Sequence, residues 1–205
     1  MLRRIQKHLE SIYRIEAPDV TQFQIDHGQL ELMMGDSLRN ADEWVLARSS
    51  EEGLDLAVFI ADDHLKALEA AGSLADAAVG AFPAFCAATE GVSHFLMLIE
   101  RARREEPVTM LELEAQAEVD KFVCASLHHP NLSNEWWGRL FREVSLADDL
   151  EPEELERYQE AGRLAAGFCV ALDQAPHVDA LLHLLRRFWR ASGSQRLERM
   201  RRLAA

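Results

Sequence analysis

The sequence has few cysteines, and the three that it has lie far apart. Cys86, Cys124 and Cys169 each stand among apolar neighbours, which is typical of buried free thiols and argues against a disulfide framework or a zinc knuckle. A glycine-rich phosphate loop and a Gly-x-Ser-x-Gly nucleophile elbow are both absent from the sequence. The sequence therefore gives no support to nucleotide binding through such a loop or to serine-hydrolase chemistry of that type.

Long uninterrupted apolar runs are also missing. A membrane-spanning helix needs about 20 consecutive apolar residues, and the nearest candidate, residues 77–99, carries Glu90 and His94 in its middle. Residues 1–16 contain several charges but not the apolar core of a secretory signal. We therefore expect no membrane span and, by default, a cytoplasmic protein.

Negative charge dominates the chain, whose formal net charge is −13. An acidic surface is a poor match for nucleic acid, because phosphate contacts need local cations. Residues 186–205 are the exception, with seven arginines and a single acid, Glu198. Such a basic amphipathic helix could bind an acidic membrane surface, an acidic protein partner or RNA, or its arginines could stabilise the carboxyl ends of helices.

Hydrophobic periodicity predicts an α+β fold in a single domain, residues 1–205. A short helix over 2–13 leads into a small antiparallel sheet within residues 13–60, in which the alternating runs on either side of the turn at 49–53 predict a hairpin. The stretches around 18–25 and 27–36 are also strand-like. Residues 61–191 form a helical body of about five or six helices, and residues 192–205 form a basic tail. The break at residues 191–195 predicts that residues 195–205 are a separate, mobile piece.

A carboxylate and an imidazole lie in the most apolar of these helices. Residues 82–99 are apolar on every side, which is typical of an interior helix. Glu90 and His94 are four residues apart and share one face of it. A buried carboxylate must be paired, protonated or bound to a metal, so we expect its partners to come from the neighbouring helices.

The following helices offer such partners. Glu118 lies on the apolar face of the helix over 108–127, with Glu114 one turn before it, whereas Glu112 and Asp120 point elsewhere and are expected to be solvated. Arg163 is the one charge in residues 161–172, and arginine suits an internal ion pair with a carboxylate.

Three hypotheses follow for this set of residues. A structural polar cluster would pair Glu90 or Glu118 with Arg163. A metal site would hold zinc or another divalent metal through Glu90, His94 and Glu118, with the fourth position open. A small-ligand pocket would be lined by Glu90, His94, Arg163 and the tryptophans Trp136 and Trp137.

The stretches EGVSH (90–94) and ELEAQAEVD (112–120) resemble the gluzincin metallopeptidase pattern, His-Glu-x-x-His on one helix followed by a glutamate on a later helix. The resemblance implies that Glu90 stands at the first histidine ligand, His94 at the second, and Glu118 or Glu114 at the later glutamate. Gly91 stands at the catalytic glutamate, and a carboxylate replaces the first imidazole. The resemblance therefore implies a zincin-like scaffold that has lost or changed its peptidase chemistry.

These patterns favour a cytosolic regulatory or protein-interaction protein with a buried Glu/His/Arg polar cluster and without a complete catalytic set. The alternatives are a metal-dependent hydrolase of zincin-like ancestry, with Glu114 as the catalytic base, and a small-ligand-binding protein.

Overall fold

A computed structural model describes residues 1–35, 42–50, 53–143 and 150–204. Within these residues the chain forms ten α-helices and two strands, which confirms an α+β fold with a mainly helical body. In chain order they are α1 (Leu2–Tyr13), α2 (His27–Met34), β1 (Glu43–Ser50), β2 (Gly53–Ile60), α3 (Asp62–Ala71), α4 (Leu74–Gly80), α5 (Phe82–Arg103), α6 (Met110–His128), α7 (Ser133–Phe141), α8 (Pro152–Asp173), α9 (Val178–Trp189) and α10 (Gly193–Leu203).

The predicted hairpin is confirmed. Strands β1 and β2 pair antiparallel, with Glu43 opposite Ile60 at the open end and Ser50 opposite Gly53 at the turn. Gly53 has a φ of 135°, a conformation that residues with a Cβ rarely adopt. The end of β2 is buried against α5, so the hairpin places the start of β1 beside the central helix.

The prediction that the antiparallel sheet also includes the stretches around 18–25 and 27–36 is wrong. Residues 27–34 form helix α2, because Asp26 and Gln29 make a capping box that starts a helix. Residues 20–22 form one turn of 3₁₀ helix, and the chain after them touches β2 through a short parallel bridge at Gln24 and Val58. The sheet of the described residues therefore has two strands rather than a meander.

Helix α5 is the centre of the fold. It packs against α1, α3, α4, α6 and both strands. Its apolar residues surround it completely, as an interior helix requires. By length and composition α5 could cross a membrane, but most of it is buried inside the protein, as expected of a core helix.

The C-terminal residues are part of the core rather than a separate tail. The Ser-Gly break does divide the last helical segment into α9 and α10, but α10 packs on α8 and buries Met200 and Arg196. The two helices approach closely at Gly167, where a Cβ would lie 2.6 Å from the Cα of Ala204. The prediction of a separate piece is therefore wrong for residues 195–203.

We expect Gly167→Ala to destabilise the protein by about 1–3 kcal/mol, because the added methyl group must push α10 away from α8. Urea unfolding measures this change. Gly162→Ala on the same helix is the matched control, since a Cβ there meets nothing within 4 Å, and helix propensity alone should stabilise it by about 0.5–1 kcal/mol. Equal stabilities of the two variants would contradict the close packing of α10.

Several arginines bind backbone carbonyl groups at the ends of helices. Arg186 Nε donates to Ile12 O at 2.8 Å, beside the end of α1, and an Arg101 guanidinium nitrogen lies 3.0 Å from Ala191 O, just after α9. Cations at these positions also compensate the negative end of the helix dipole. Part of the basic character of the C-terminal segment thus serves the fold, and binding of a protein partner through it stays a prediction.

Two histidines hold α1 against α6. The rings of His8 and His128 stack with centroids 4.8 Å apart, and the Nε2 atoms of both are buried without a hydrogen-bond partner among the described residues. Burial and the neighbouring His128 lower the pKa of His8 to about 4. Protonation therefore opposes this contact.

We expect the His8 contact to weaken in acid. The folded pKa lies below the unfolded value, so the contribution of His8 is complete above about pH 6.5 and is lost as the pH falls towards 4. Because His8 is partly exposed, we expect a loss of about 1–2 kcal/mol rather than the full value of the shift. His8→Gln should remove this dependence in urea unfolding between pH 7.5 and 4.5, whereas His183→Gln, on an exposed residue, should keep the wild-type dependence.

Candidate functional site

Ionisable side chains from β1, α5 and α6 meet in the interior. Glu90 and His94 come from α5, and α6 supplies three further residues, Glu114, Glu118 and Lys121. Glu43, the first residue of β1, completes the set. We call these six residues the interior cluster: Glu43, Glu90, His94, Glu114, Glu118 and Lys121.

Lys121 is the cation of the interior cluster. Its side chain is almost completely buried, and Nζ donates to Glu90 Oε2 at 2.9 Å and to Glu118 Oε1 at 2.6 Å. Burial lowers the pKa of this lysine, but the carboxylates of Glu118 and Glu90 outweigh burial and raise it well above its usual value. The ammonium group therefore stays charged and neutralises two neighbouring carboxylates.

The prediction that Arg163 is the interior cation is wrong. Half of its side chain is exposed, and it pairs with Glu160 at 2.8 Å and with the carbonyl of Ala204. The apolar stripe of α8 runs through Leu164 and Phe168, so Arg163 lies beside the stripe. In the sequence, Lys121 follows Glu118 by three residues on one face of α6, and this spacing was the signal that the prediction missed.

Glu43, Glu90 and His94 form a group that could hold a metal ion. Each offers one ligand atom, and these atoms lie within 4.8 Å of one another. Glu43 reaches this position beside Gly91, where a Cβ would lie 3.2 Å from Glu43 Oε2. The missing side chain at Gly91 thus makes room for a carboxylate from the neighbouring strand.

The predicted ligand set changes by one residue. Glu90 and His94 lie in the group as predicted, but its third member is Glu43 rather than Glu118, whose Oε1 accepts the hydrogen bond from Lys121. Glu43 belongs to the hairpin and is far from α5 in the sequence. The spacing of residues within α5 or α6 therefore cannot predict that Glu43 belongs to the group.

Two atoms of the Glu–Glu–His group lack partners. Glu43 Oε2 and His94 Nε2 are buried, and neither has a hydrogen-bond partner in the ranges of the chain that the structure describes. Buried polar atoms normally have a partner, and an orphaned one calls for a ligand, an ion or a water molecule. His94 also contacts the backbone of Leu113, which orients the ring.

The two carboxyl groups of the Glu–Glu–His group, Glu43 and Glu90, differ in the direction of their pKa shifts. Burial raises the pKa of Glu43 well above its usual value, and the charges of Glu90 and Glu114 raise it further. Burial also raises the pKa of Glu90, but Lys121 and His94 outweigh it, and the pKa of Glu90 ends below its usual value. Burial lowers the pKa of His94. The pKa values of the two carboxyl groups are therefore shifted in opposite directions.

Glu114, the predicted catalytic residue, lies at the edge of this group. Its side chain is almost fully buried, and its Oε2 is 3.8 Å from His94 Nε2. Burial, together with the charge of Glu90, raises the pKa of Glu114 to about 8, against the opposing effect of Arg157. A carboxyl group with such a pKa can both hold and release a proton near neutral pH.

The prediction that Glu112 and Asp120 are solvated is wrong, because both are buried. Glu112 accepts a hydrogen bond from the backbone of Thr109 at 3.0 Å and caps α6. Asp120 accepts hydrogen bonds from Ser93 Oγ at 2.6 Å and Gln116 Nε2 at 2.8 Å, and a third from the Tyr13 hydroxyl. This second polar network, centred on Asp120, joins α1, α5 and α6.

The two tryptophans belong to the packing around α7. Trp136 is buried and stacks on Phe82 with ring centroids 5.7 Å apart. Trp137 Nε1 donates to Ala166 O on α8 at 3.2 Å. Neither is part of the Glu–Glu–His group, and the ligand-binding role of Trp136, Trp137 and Arg163 stays a prediction.

No protein-family model matches the chain, and neither the curated proteins nor the solved structures contain a significant match. The resemblance to the gluzincins therefore stays a prediction, and the function must be argued from the site.

Proposed function

We propose that this protein binds a divalent metal ion through Glu43, Glu90 and His94 and acts as a metal-dependent hydrolase. The observation that carries the proposal is the pair of buried atoms without hydrogen-bond partners, Glu43 Oε2 and His94 Nε2, in a group of three potential ligands, two carboxylates and one imidazole. A cation between them would give both atoms a partner. It would also oppose the burial and the neighbouring charge of Glu90, which together raise the pKa of Glu43.

The donor set suits a divalent metal of the first transition row. Two carboxylates and one imidazole fit zinc or manganese, and three protein ligands leave a position open for water, as in catalytic zinc sites. Ligand atoms around one tetrahedral zinc lie about 3.4 Å apart when the bonds are about 2.1 Å long. The three ligand atoms lie within 4.8 Å of one another, so the side chains would have to approach by up to about 1.4 Å.

Glu114 supports hydrolysis rather than a purely structural metal site. Its carboxyl group lies next to His94 without being a member of the Glu–Glu–His group. Hydrolytic metal sites pair the metal with a nearby acid–base group that moves the proton of the attacking water. In the proposed function Glu114 takes that role.

Metal analysis of protein purified without an affinity tag tests the proposal. We expect about one equivalent of metal, and calorimetric titration of stripped protein with Zn²⁺ and Mn²⁺ should give one site. Glu43→Gln and His94→Gln should each weaken binding more than about 100-fold, because a ligand is lost. Glu118→Gln is the matched control and should bind within a few-fold of the wild type.

Glu43→Gln also separates loss of metal from loss of the fold. Glutamine has the shape of the neutral acid that burial favours at this position, so the stripped variant should unfold within about 1 kcal/mol of the stripped wild type. Metal-dependent cleavage of simple ester, phosphoester or peptide substrates should then disappear in Glu43→Gln and in Glu114→Gln. A folded wild type that takes up no metal would overturn the proposal.

Lys121 favours a second candidate, a non-catalytic regulatory or interaction protein whose interior cluster only fixes the packing of α5 on α6. Its bonds to Glu90 and Glu118 already satisfy part of the cluster. Deleting the C-terminal segment would be a poor test, because Met200 and Arg196 belong to the core. Charge reversal at the exposed Arg187 and Arg201 should instead abolish capture of an acidic partner if this function holds.

A further inference from the structure

Two cavities lie side by side where the end of α8 meets α6, α7 and the start of α9. The first has a volume of about 200 Å³ and the second of about 240 Å³. Phe122, Ser133 and Asp173 line both cavities, which therefore form one cleft. Small-molecule sites usually enclose about 300–1,000 Å³, and the two cavities together fall in this range. No residue of the interior cluster lines either of them.

The first cavity is the apolar part of the cleft. Its wall consists mainly of apolar side chains from α6, α8 and α9, among them Phe122, Val123, Leu127, Leu172, Val178 and Leu181. Val178 is 57% exposed although it is a large apolar residue, so the apolar surface continues to the outside of the protein. This cavity can therefore take up an apolar chain from solvent.

The second cavity is more polar. Ser133, Asn134, Asp173 and Gln174 line it together with the ring of Trp137. The Ser133 hydroxyl donates to Asp173 Oδ1, which holds the carboxylate on the wall that the two cavities share and leaves Oδ2 for another donor. Neither arginine, lysine nor glutamate is among the residues that line the two cavities.

The end of α8 adds to this negative charge. Asp173 is the last residue of α8, and the last turn of the helix has no basic residue, whereas α10 ends with Arg201 and Arg202. The carbonyl groups at the end of a helix carry a partial negative charge. Arg142 Cζ lies 5.4 Å from the centroid of the Trp137 ring, but Arg142 lines neither cavity. The cleft thus combines an apolar cavity with a carboxylate at the negative end of a helix.

We propose that this cleft binds a small amphipathic amine, with its ammonium group on Asp173 and its apolar chain in the first cavity. The ammonium group would donate to Asp173 Oδ2, and the carbonyl end of α8 and the face of the Trp137 ring would attract its charge. The same charges repel an anion, and a neutral alcohol forms no ion pair. This binding site is separate from the metal centre and does not depend on the proposed function.

Titration of the full chain with n-hexylamine, 1-hexanol and hexanoate, followed by calorimetry, tests the proposal. We expect one saturable site for n-hexylamine, at least about threefold weaker binding of 1-hexanol, because it lacks the charge, and no binding of hexanoate. n-Butylamine should bind more weakly than n-hexylamine, by up to about fourfold for each methylene group removed, because less apolar surface is buried.

Three variants test the two halves of the cleft. Asp173→Asn should weaken binding of n-hexylamine at least about threefold and leave 1-hexanol unaffected. Asp179→Asn is the matched control on an exposed acid of α9 that lines neither cavity, and it should bind as the wild type does. Ala175→Leu narrows the first cavity from its edge and should weaken binding of both molecules.

Thermal melting verifies that each variant is folded before it is titrated. Absence of a saturable n-hexylamine site in the wild type would overturn the proposal. Equal affinities for n-hexylamine and 1-hexanol, or an affinity for n-hexylamine that folded Asp173→Asn retains, would overturn it as well, because the carboxylate would then not recognise the ligand.

Discussion

Lys121→Met should cost about 3–5 kcal/mol of unfolding free energy, because it leaves Glu90 and Glu118 in the interior without their cation. Both carboxylates bond to its ammonium group at less than 3 Å, and methionine fills a similar volume without charge. The carboxyl groups can take up protons in compensation, so the loss should be smaller at pH 5.5 than at pH 8. Urea unfolding at the two pH values measures both effects.

Lys66→Met is the control for this variant. Lys66 pairs with Asp63 at 3.1 Å on the surface of α3, where most of both side chains is exposed, so its loss should cost no more than about 0.5 kcal/mol. If the interior cluster binds a divalent ion through Glu90, added metal should restore part of the stability of Lys121→Met. A loss below about 1 kcal/mol at pH 8 would show that Lys121 is not the counter-charge of the cluster.

Asp120→Ala should destabilise the protein by about 3–5 kcal/mol, since it leaves buried donors without an acceptor and opens a cavity. Asp120 is fully buried, and it accepts hydrogen bonds from Ser93, Gln116 and Tyr13. Arg196 of α10 in turn donates to Gln116. The substitution should therefore also loosen the docking of α10, which hydrogen exchange of the α10 amides would detect.

Asp120→Asn retains one acceptor oxygen and should lower the free energy of unfolding by about 1–2 kcal/mol. Because asparagine has nearly the volume of aspartate, this variant measures the lost hydrogen bonds without the cavity that alanine creates. Asp55→Ala is the surface control, because Asp55 is exposed and pairs with the exposed Arg48 across the hairpin. It should change stability by no more than about 0.5 kcal/mol. Equal effects of Asp120→Ala and Asp55→Ala would contradict the buried network.

Much of the fold could be predicted because its signals are local. The hairpin follows from alternation on either side of a turn, and α8 begins at Pro152, where a missing N–H does no harm. The strand assigned to residues 27–36 failed because a capping box of Asp26 and Gln29 outweighs a short apolar run. The break between α9 and α10 was visible as Ser-Gly, but the docking of α10 depends on Gly167, far away on another helix.

The candidate site could be predicted only in part. Glu90 and His94 share a helix, so their common face follows from spacing alone. Glu114 lies in the site as its position on α6 predicted, whereas Arg163 does not, because a lone charge in an apolar stretch can still lie beside the buried stripe. The sequence had no means of indicating that Arg157, rather than Arg163, reaches the cluster.

By itself the sequence determined that an apolar helix must bury a carboxylate and an imidazole on one face, because helical periodicity leaves no other surface for them. Only the tertiary structure decided which residues lie next to this carboxylate and this imidazole. Lys121 neutralises Glu90, and Glu43 approaches from a strand because Gly91 leaves it room. Such partners are far apart in the sequence, and the packing of whole helices and strands brings them together. The spacing of residues within one helix does not predict that packing.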